Sequence, residues 1–307
     1  MRLASTTDDF CWFEETYRGR IKRLYEAGFR YIDLGMYHVA DNDTLLLSAD
    51  WKKTARELKE YAEQLGMRFV QAHAPGGNPF RNYGEHLPGY EKLMKTTIRS
   101  IEVCGELGIP NIVVHCGCKE DIGKAGFFEG NKAFFEKLLP YAEECNVNIL
   151  CENSSRINVA CDSAYYANSG KDMREFVKYV DHPLFHVCWD TGHANMEGSQ
   201  YDDIMALGEH LHAVHINDNR GTRDDHTIPF MGTMNMDEVM CALIDSGYKG
   251  YFTMEAASTL LCMQGKRCSF EREDRLRYAD ITMQKSMEKC MYEIMKHALE
   301  VYQCFEE

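Results

Sequence analysis

Long apolar runs are missing from this chain. No stretch approaches the ~18 residues of a membrane span, and the opening MRLASTTDDFCWFEE has no apolar core of signal-peptide length. Blocks of like charge are missing too. Basic residues number 34 against 48 acidic ones, a net charge of −14, whereas nucleic-acid binding needs clustered Lys and Arg to neutralise phosphates. These absences argue against a membrane and against a nucleic-acid partner. No low-complexity tract, linker or internal repeat of motif quality stands out. The glycine-rich first turn of a dinucleotide-binding sheet is absent, since STTDDF follows the first apolar run.

Cysteine is not scarce: there are 13, an odd number, scattered. Cys104, Cys145, Cys151, Cys188 and Cys290 fall inside apolar strand or helix patterns. That usage reads as reduced thiols in a cytoplasmic protein. Cys116-x-Cys118 lacks the spacing and the second pair of a zinc knuckle.

What is present is alternation. Short apolar runs recur at 2–6, 31–35, 68–73, 111–116, 148–153, 186–190, 211–216 and 251–256. Helical patterns lie between them, at 51–66, 90–108, 131–146 (with a kink expected at Pro140) and 236–247. Continuous apolar runs, each followed by a helix, predict strands buried on both faces in a parallel sheet. With this length and count, the fold class is α/β, a single (β/α)8 TIM barrel over residues 1–307. An extended loop is expected at about 258–280 and a long helix at the C-terminus.

In such a barrel the carboxyl ends of the strands form the active-site mouth. Six consecutive runs finish on a metal-capable side chain: His73, His115, Glu152, Asp190 with His193 beyond it, His215 and Glu255. The loop after the seventh run adds Asp224, Asp225 and His226. A lone strand-end histidine is more often a satisfied core or loop residue, and a lone carboxylate is often a helix cap. The joint pattern is different. Several unpaired charges buried in one mouth cost several kcal/mol each, and a divalent cation removes that penalty. Imidazole and carboxylate donors with no thiolate suit Mn2+, Zn2+, Co2+ or Mg2+. Trp189 precedes Asp190, so strand alternation turns it to the opposite face, against a helix. Trp12, Tyr37, Phe80 and Phe230 lie near the expected mouth, and no glycine-rich phosphate cradle follows the seventh or eighth run.

The segments QAHAP (71–75), VVHCG (113–117), LCEN (150–153), WDTGHAN (189–195), HINDNRGTRDDH (215–226) and TMEA (253–256) resemble the xylose isomerase-like barrel superfamily. That superfamily holds sugar isomerases and epimerases together with three-zinc apurinic endonucleases. The resemblance implies a divalent-metal-dependent isomerase or epimerase of a sugar, sugar phosphate or inosose, working through an enediolate. It implies metal ligands at Glu152, Asp190, His215 and Glu255, with Glu152 and Glu255 also acting as acid and base. Substrate contacts fall to His193, His73, His115 and Arg220, although Arg220 is offset by one from the epimerases' arginine. Additional metal ligands would be His193, Asp224 and His226. Where relatives often continue with a Pro-Gly-x-Gly turn, this chain has TIPFMGTMN (227–235). Two alternatives stay open: a three-zinc phosphodiesterase, and a partner-dependent subunit of a C-glycoside-cleaving enzyme. The expected partner is a small carbohydrate, and a homo-oligomer is compatible with such a barrel.

Overall fold

Each of the eight apolar runs forms a strand. The computed structural model describes residues 1–80, 88–158, 163–256, 258–260 and 279–307. The strands are β1 (Arg2–Thr6), β2 (Tyr31–Gly35), β3 (Arg68–His73), β4 (Asn111–Val114), β5 (Asn148–Glu152), β6 (Phe185–Asp190), β7 (Leu211–Ile216) and β8 (Tyr251–Met254). They pair in parallel in the order β1-β8-β7-β6-β5-β4-β3-β2, and β1 pairs with β2 to close the barrel. Strands four and eight are shorter than their apolar runs. His115 and Glu255 are therefore the first residues past them, although the Glu255 N–H still donates to the Ile216 carbonyl at 3.1 Å.

Alternation along the strands sorts side chains into two cores. Outward residues such as Ile112, Ile149, Val187, Trp189 and Val214 join the large core under the helices. Trp189 is fully buried there and donates its Nε1–H to Gln200 Oε1 at 3.1 Å, on the face opposite Asp190. Inward residues Val113, Leu150, Cys188 and Ala213 form a separate small cluster inside the barrel. Two residues further along the same four strands, on the same face, come His115, Glu152, Asp190 and His215. The apolar plug is thus a floor on which the polar layer stands.

The helix patterns fold largely as expected. α1 is Tyr17–Ala27; α2 is Trp51–Gln64, burying Trp51, Ala55, Leu58 and Ala62; α3 is Pro88–Leu107. The pattern over 131–146 does not form one helix. It splits into α4 (Gly123–Phe135) and α5 (Leu139–Cys145), with Pro140 in the first turn of α5. Proline has no N–H and is tolerated where none is needed, so it starts a helix here and does not kink one. Further along are α6 (Gly170–Val180), α7 (Thr191–Asn195), α8 (Tyr201–Leu207), α9 (Met236–Asp245) and α10 (Ile281–Val301). Most of the loop expected at about 258–280 lies outside the described residues. No described helix is long and apolar enough to cross a membrane. Among the described residues nine cysteines carry free thiols; Cys118, in the loop after β4, is in a disulfide and departs from the reduced-thiol reading.

The last helix is pinned to the first strand by a buried acid pair. Ser5 Oγ lies 2.7 Å from Glu288 Oε1 and 3.3 Å from Asp9 Oδ2. A hydroxyl has one proton to give, so one carboxyl must keep its own proton and donate. Burial drives this: it raises Asp9 well above its ordinary range, with the Glu288 charge adding to the effect. It also pushes Glu288 up to about 7 from 4.5, against the pull of hydrogen bonds from Ser5 and Asp9. A carboxyl whose folded pKa is raised adds stability that is complete below its unfolded pKa and lost as pH rises through the folded one. In thermal melts, Glu288→Gln is expected to be more stable than the parent above about pH 7, and the gap should shrink toward pH 5. A gap of the same size at both pH values would contradict the shared-proton account.

Candidate metal centre

The strand-end residues converge on Glu152, which is 2% exposed. Its Oε1 is 2.8 Å from His215 Nδ1, and its Oε2 is 2.6 Å from His115 Nε2 and 3.5 Å from His73 Nε2. Glu255 Oε2 approaches the same His215 Nδ1 at 3.3 Å. One ligand atom each from Glu152, Asp190, His215 and Glu255 lies within 4.8 Å of the others, a spacing that could hold a metal ion. His73, Glu152 and His215 form a second overlapping group at that spacing, and His193, Asp224 and His226 a third. In the third, Asp224 Oδ2 sits 2.9 Å from His226 Nε2 and 3.1 Å from His193 Nε2. The groups touch, since His226 Nδ1 is 3.7 Å from Glu255 Oε2 and His193 Nδ1 is 3.6 Å from Asp190 Oδ1.

The segment from Asp190 to His193 shows why a buried strand stops on a carboxylate. Asp190 caps α7, its Oδ1 accepting the His193 N–H at 2.6 Å, while its Oδ2 accepts from Asn217 Nδ2 at 2.7 Å. The cap turns the chain back, so His193 lands over the mouth. A Cβ on Gly192 would stand 1.8 Å from Asn217 Oδ1, so only glycine fits beneath Asn217. Asn153 holds both ends: its Oδ1 accepts the Asp190 N–H at 2.6 Å, and its carbonyl accepts from His193 Nδ1 at 2.9 Å. With Nδ1–H committed to that carbonyl, Nε2 is the ring atom left to bind a ligand.

Asn153, Asn217 and Gln71 were not among the sequence candidates. Gln71 could have been found by the alternation rule, being two residues before His73 on the inward face; nothing local marks the two asparagines. Tyr37 flanks the cluster, with its ring 5.4 Å from that of His73 and 5.7 Å from that of His115, and is 39% exposed. Its ring lies where a Cβ on Gly76 would stand, 2.4 Å from Cζ. Phe230 is 62% exposed, and Phe80 is buried. Arg220 is exposed at the start of the 220–226 loop and makes no ion pair among the described residues.

Burial and charge pull the carboxylates apart. Burial alone would keep Glu152 protonated, but the charges and hydrogen bonds of His215 and His115 outweigh it and hold Glu152 well below the usual range. Glu255 goes the other way: burial, opposed by His215 and His226 and reinforced by Glu152, pushes it up to about 7. Burial pulls His193 down, but Asp190 and Asp224 prevail and raise it to about 10. His226 is raised well above its ordinary value against burial, chiefly by Asp224. His115 is lowered by burial despite Glu152 beside it. Protonated imidazoles and carboxylates neutralise one another here; a divalent cation could take over that role. The donors are oxygen and imidazole nitrogen, and Asp224 Oδ1 is buried without a hydrogen-bond partner among the described residues. The residues fit such an ion.

Known proteins match at three levels. Fructoselysine 3-epimerase from Escherichia coli O157:H7 is 30% identical over 125 residues, 39% of this chain and 42% of that one. Probable endonuclease 4 from Nitrosopumilus maritimus is 29% identical over 149 residues, 43% of this chain and 50% of that one. Among solved structures, D-psicose 3-epimerase with D-tagatose from Clostridium cellulolyticum H10 superposes with a TM-score of 0.73 at 20% identity, covering 97% of this chain and 99% of that one. At that identity the superposition establishes the fold. The family model described as xylose isomerase-like TIM barrel matches residues 21–276. The chain belongs to the xylose isomerase-like TIM barrel family.

Proposed function

We propose that this chain is a divalent-metal-dependent isomerase or epimerase acting on a sugar, sugar phosphate or inosose. The observation that carries the reading is the pair Glu152 and Glu255. They come from the ends of strands with two others between them in the barrel, both face His215 Nδ1, and their proton affinities are driven in opposite directions. Titratable pairs split in this way divide acid from base.

Glu152, Asp190, His215 and Glu255 would hold the ion. Once bound, a divalent ion supplies polarisation of a substrate carbonyl and charge stabilisation for an enediolate. Asp190 is kept in place by the Asn217 amide and the α7 backbone. One of Glu152 and Glu255 removes the proton beside the carbonyl, and the other, or the same group, returns one. Return to the opposite face of the same carbon gives epimerisation; return to the neighbouring carbon gives aldose–ketose isomerisation. His193, held by Asn153, offers Nε2–H to a substrate oxygen as negative charge grows there. Tyr37 presents a half-exposed ring against which the C–H face of a sugar could pack. The relatives named as 3-epimerases support this reading.

A second reading is favoured by one observation: His193, Asp224 and His226 group beyond the first four ligands, and His73 and His115 sit beside Glu152. That ligand set suits a three-cation phosphodiesterase, and the match to a probable endonuclease 4 points the same way. The net charge of −14 opposes it, because phosphate-backbone binding relies on cationic side chains.

Elemental analysis of the purified chain distinguishes the two. About one metal per chain is expected for the sugar enzyme, against three with cleavage of abasic-site DNA for the phosphodiesterase. On a panel of aldoses, ketoses and inososes, Glu152→Gln and Glu255→Gln are each expected to lower turnover at least ~10²-fold. Each should also release metal. Full activity and full metal content in both variants would overturn the assignment.

A further inference from the structure

Under the metal centre, inside the barrel, lies a polar group that the ligand set does not use. Gln71 is 3% exposed and stands in register with Asp33 of the neighbouring strand. Its Nε2 is 2.8 Å from His215 Nε2, and its Oε1 is 3.5 Å from the Thr253 hydroxyl. The Gln71 amide nitrogen faces His215 Nε2, and His215 Nδ1 faces Glu152 Oε1; which ring nitrogen carries a proton follows from what binds Nδ1. A cation bound at Nδ1 needs the lone pair there, so the ring proton must sit on Nε2. Nε2–H then meets an amide N–H, two donors face to face, unless the amide turns over.

Asp33 carries the second half of the argument. It is fully buried, and among the described residues neither carboxylate oxygen has a partner at hydrogen-bond geometry, although the Thr6 hydroxyl is near enough to oppose the rise that burial causes in its proton affinity. Buried orphan acceptors of this kind are rare and costly. Paired strand residues project to the same side of a sheet, so Asp33 lies beside Gln71 in the layer directly under His73 and Gly35.

We propose that Gln71 is the positioning residue for His215. When a cation takes Nδ1, the Gln71 amide turns over, its Oε1 accepts the His215 Nε2–H, and its two N–H groups go to Asp33 and the Thr253 hydroxyl. Gln71 thereby sets the tautomer that makes His215 a ligand, and Asp33 holds Gln71 in the turned state. The proposal rests on the metal-binding reading above, and its test separates the two.

The test is zinc affinity by chelator competition for the parent, Gln71→Leu, Gln71→Glu and Asp33→Leu. It is paired with nitrogen-15 spectra of the His215 ring with and without Zn2+. Gln71→Leu leaves no acceptor for Nε2–H and is expected to weaken zinc binding 10–100-fold, the usual range for a lost outer partner of a ligating histidine. Gln71→Glu keeps an acceptor and should stay near the parent. Asp33→Leu should fall between them. With zinc bound, the His215 ring proton should sit on Nε2 alone. Parent-like affinity in a folded Gln71→Leu protein overturns the proposal. So does an Nδ1 proton that persists with zinc bound, a spectrum taken on the parent and independent of whether any variant folds. A parent chain that binds no zinc, manganese or cobalt overturns the metal reading along with it, whereas metal uptake indifferent to Gln71 overturns this proposal alone.

Discussion

The structure turns on the contact between Glu152 and the imidazoles around it. A carboxylate at the centre of a protein, 2% exposed, is stable only if positive charge surrounds it. His215 and His73 supply that charge and His115 adds a hydrogen bond at 2.6 Å, from three strands. Those three strands must then keep their register, because a slip of one residue would swap each imidazole for an apolar neighbour facing the helices. The plug of Val113, Leu150, Cys188 and Ala213 sets the height of the layer, and the Asn153–Asp190–Asn217 network fixes its rotation. The barrel is in this sense built upward from a dry floor to a charged rim.

Charge on that rim is unevenly shared. Glu152 sits among imidazoles, while Glu255 has more burial than compensation. Two carboxyls of the same kind thus end with opposite habits from position alone. The third group, around Asp224, repeats the pattern with one carboxylate held by two imidazoles. Because these groups share edges, a change at Glu255 or Asp190 acts on both.

Much of this was legible in the sequence. The run NILCE followed by N, or HVCWD followed by TGH, states both the strand and the polar residue that ends it, and strand alternation placed Trp189 outside without coordinates. The helix over 51–64 was readable from its apolar spacing for the same reason: burial imposes the period. Pro140 was misread because its effect depends on whether it falls inside a helix or at the first turn, and the preceding Lys-Leu-Leu does not decide that. The roles of Gln71, Asn153 and Asn217 were hidden because an amide is informative only through what it faces, and those partners lie on other strands. Arg220, assigned to substrate by resemblance, lies exposed beyond Asn219 and makes no ion pair among the described residues.

The central claim is that Glu152, Asp190, His215 and Glu255 share one cation. Crystals of the chain grown with Mn2+, measured with anomalous scattering at the manganese edge, test it most directly. A peak about 2.0–2.4 Å from a ligand atom of each of the four side chains is the predicted result. A peak elsewhere, or no peak with Glu152 still bonded to His215 and His115, would contradict it.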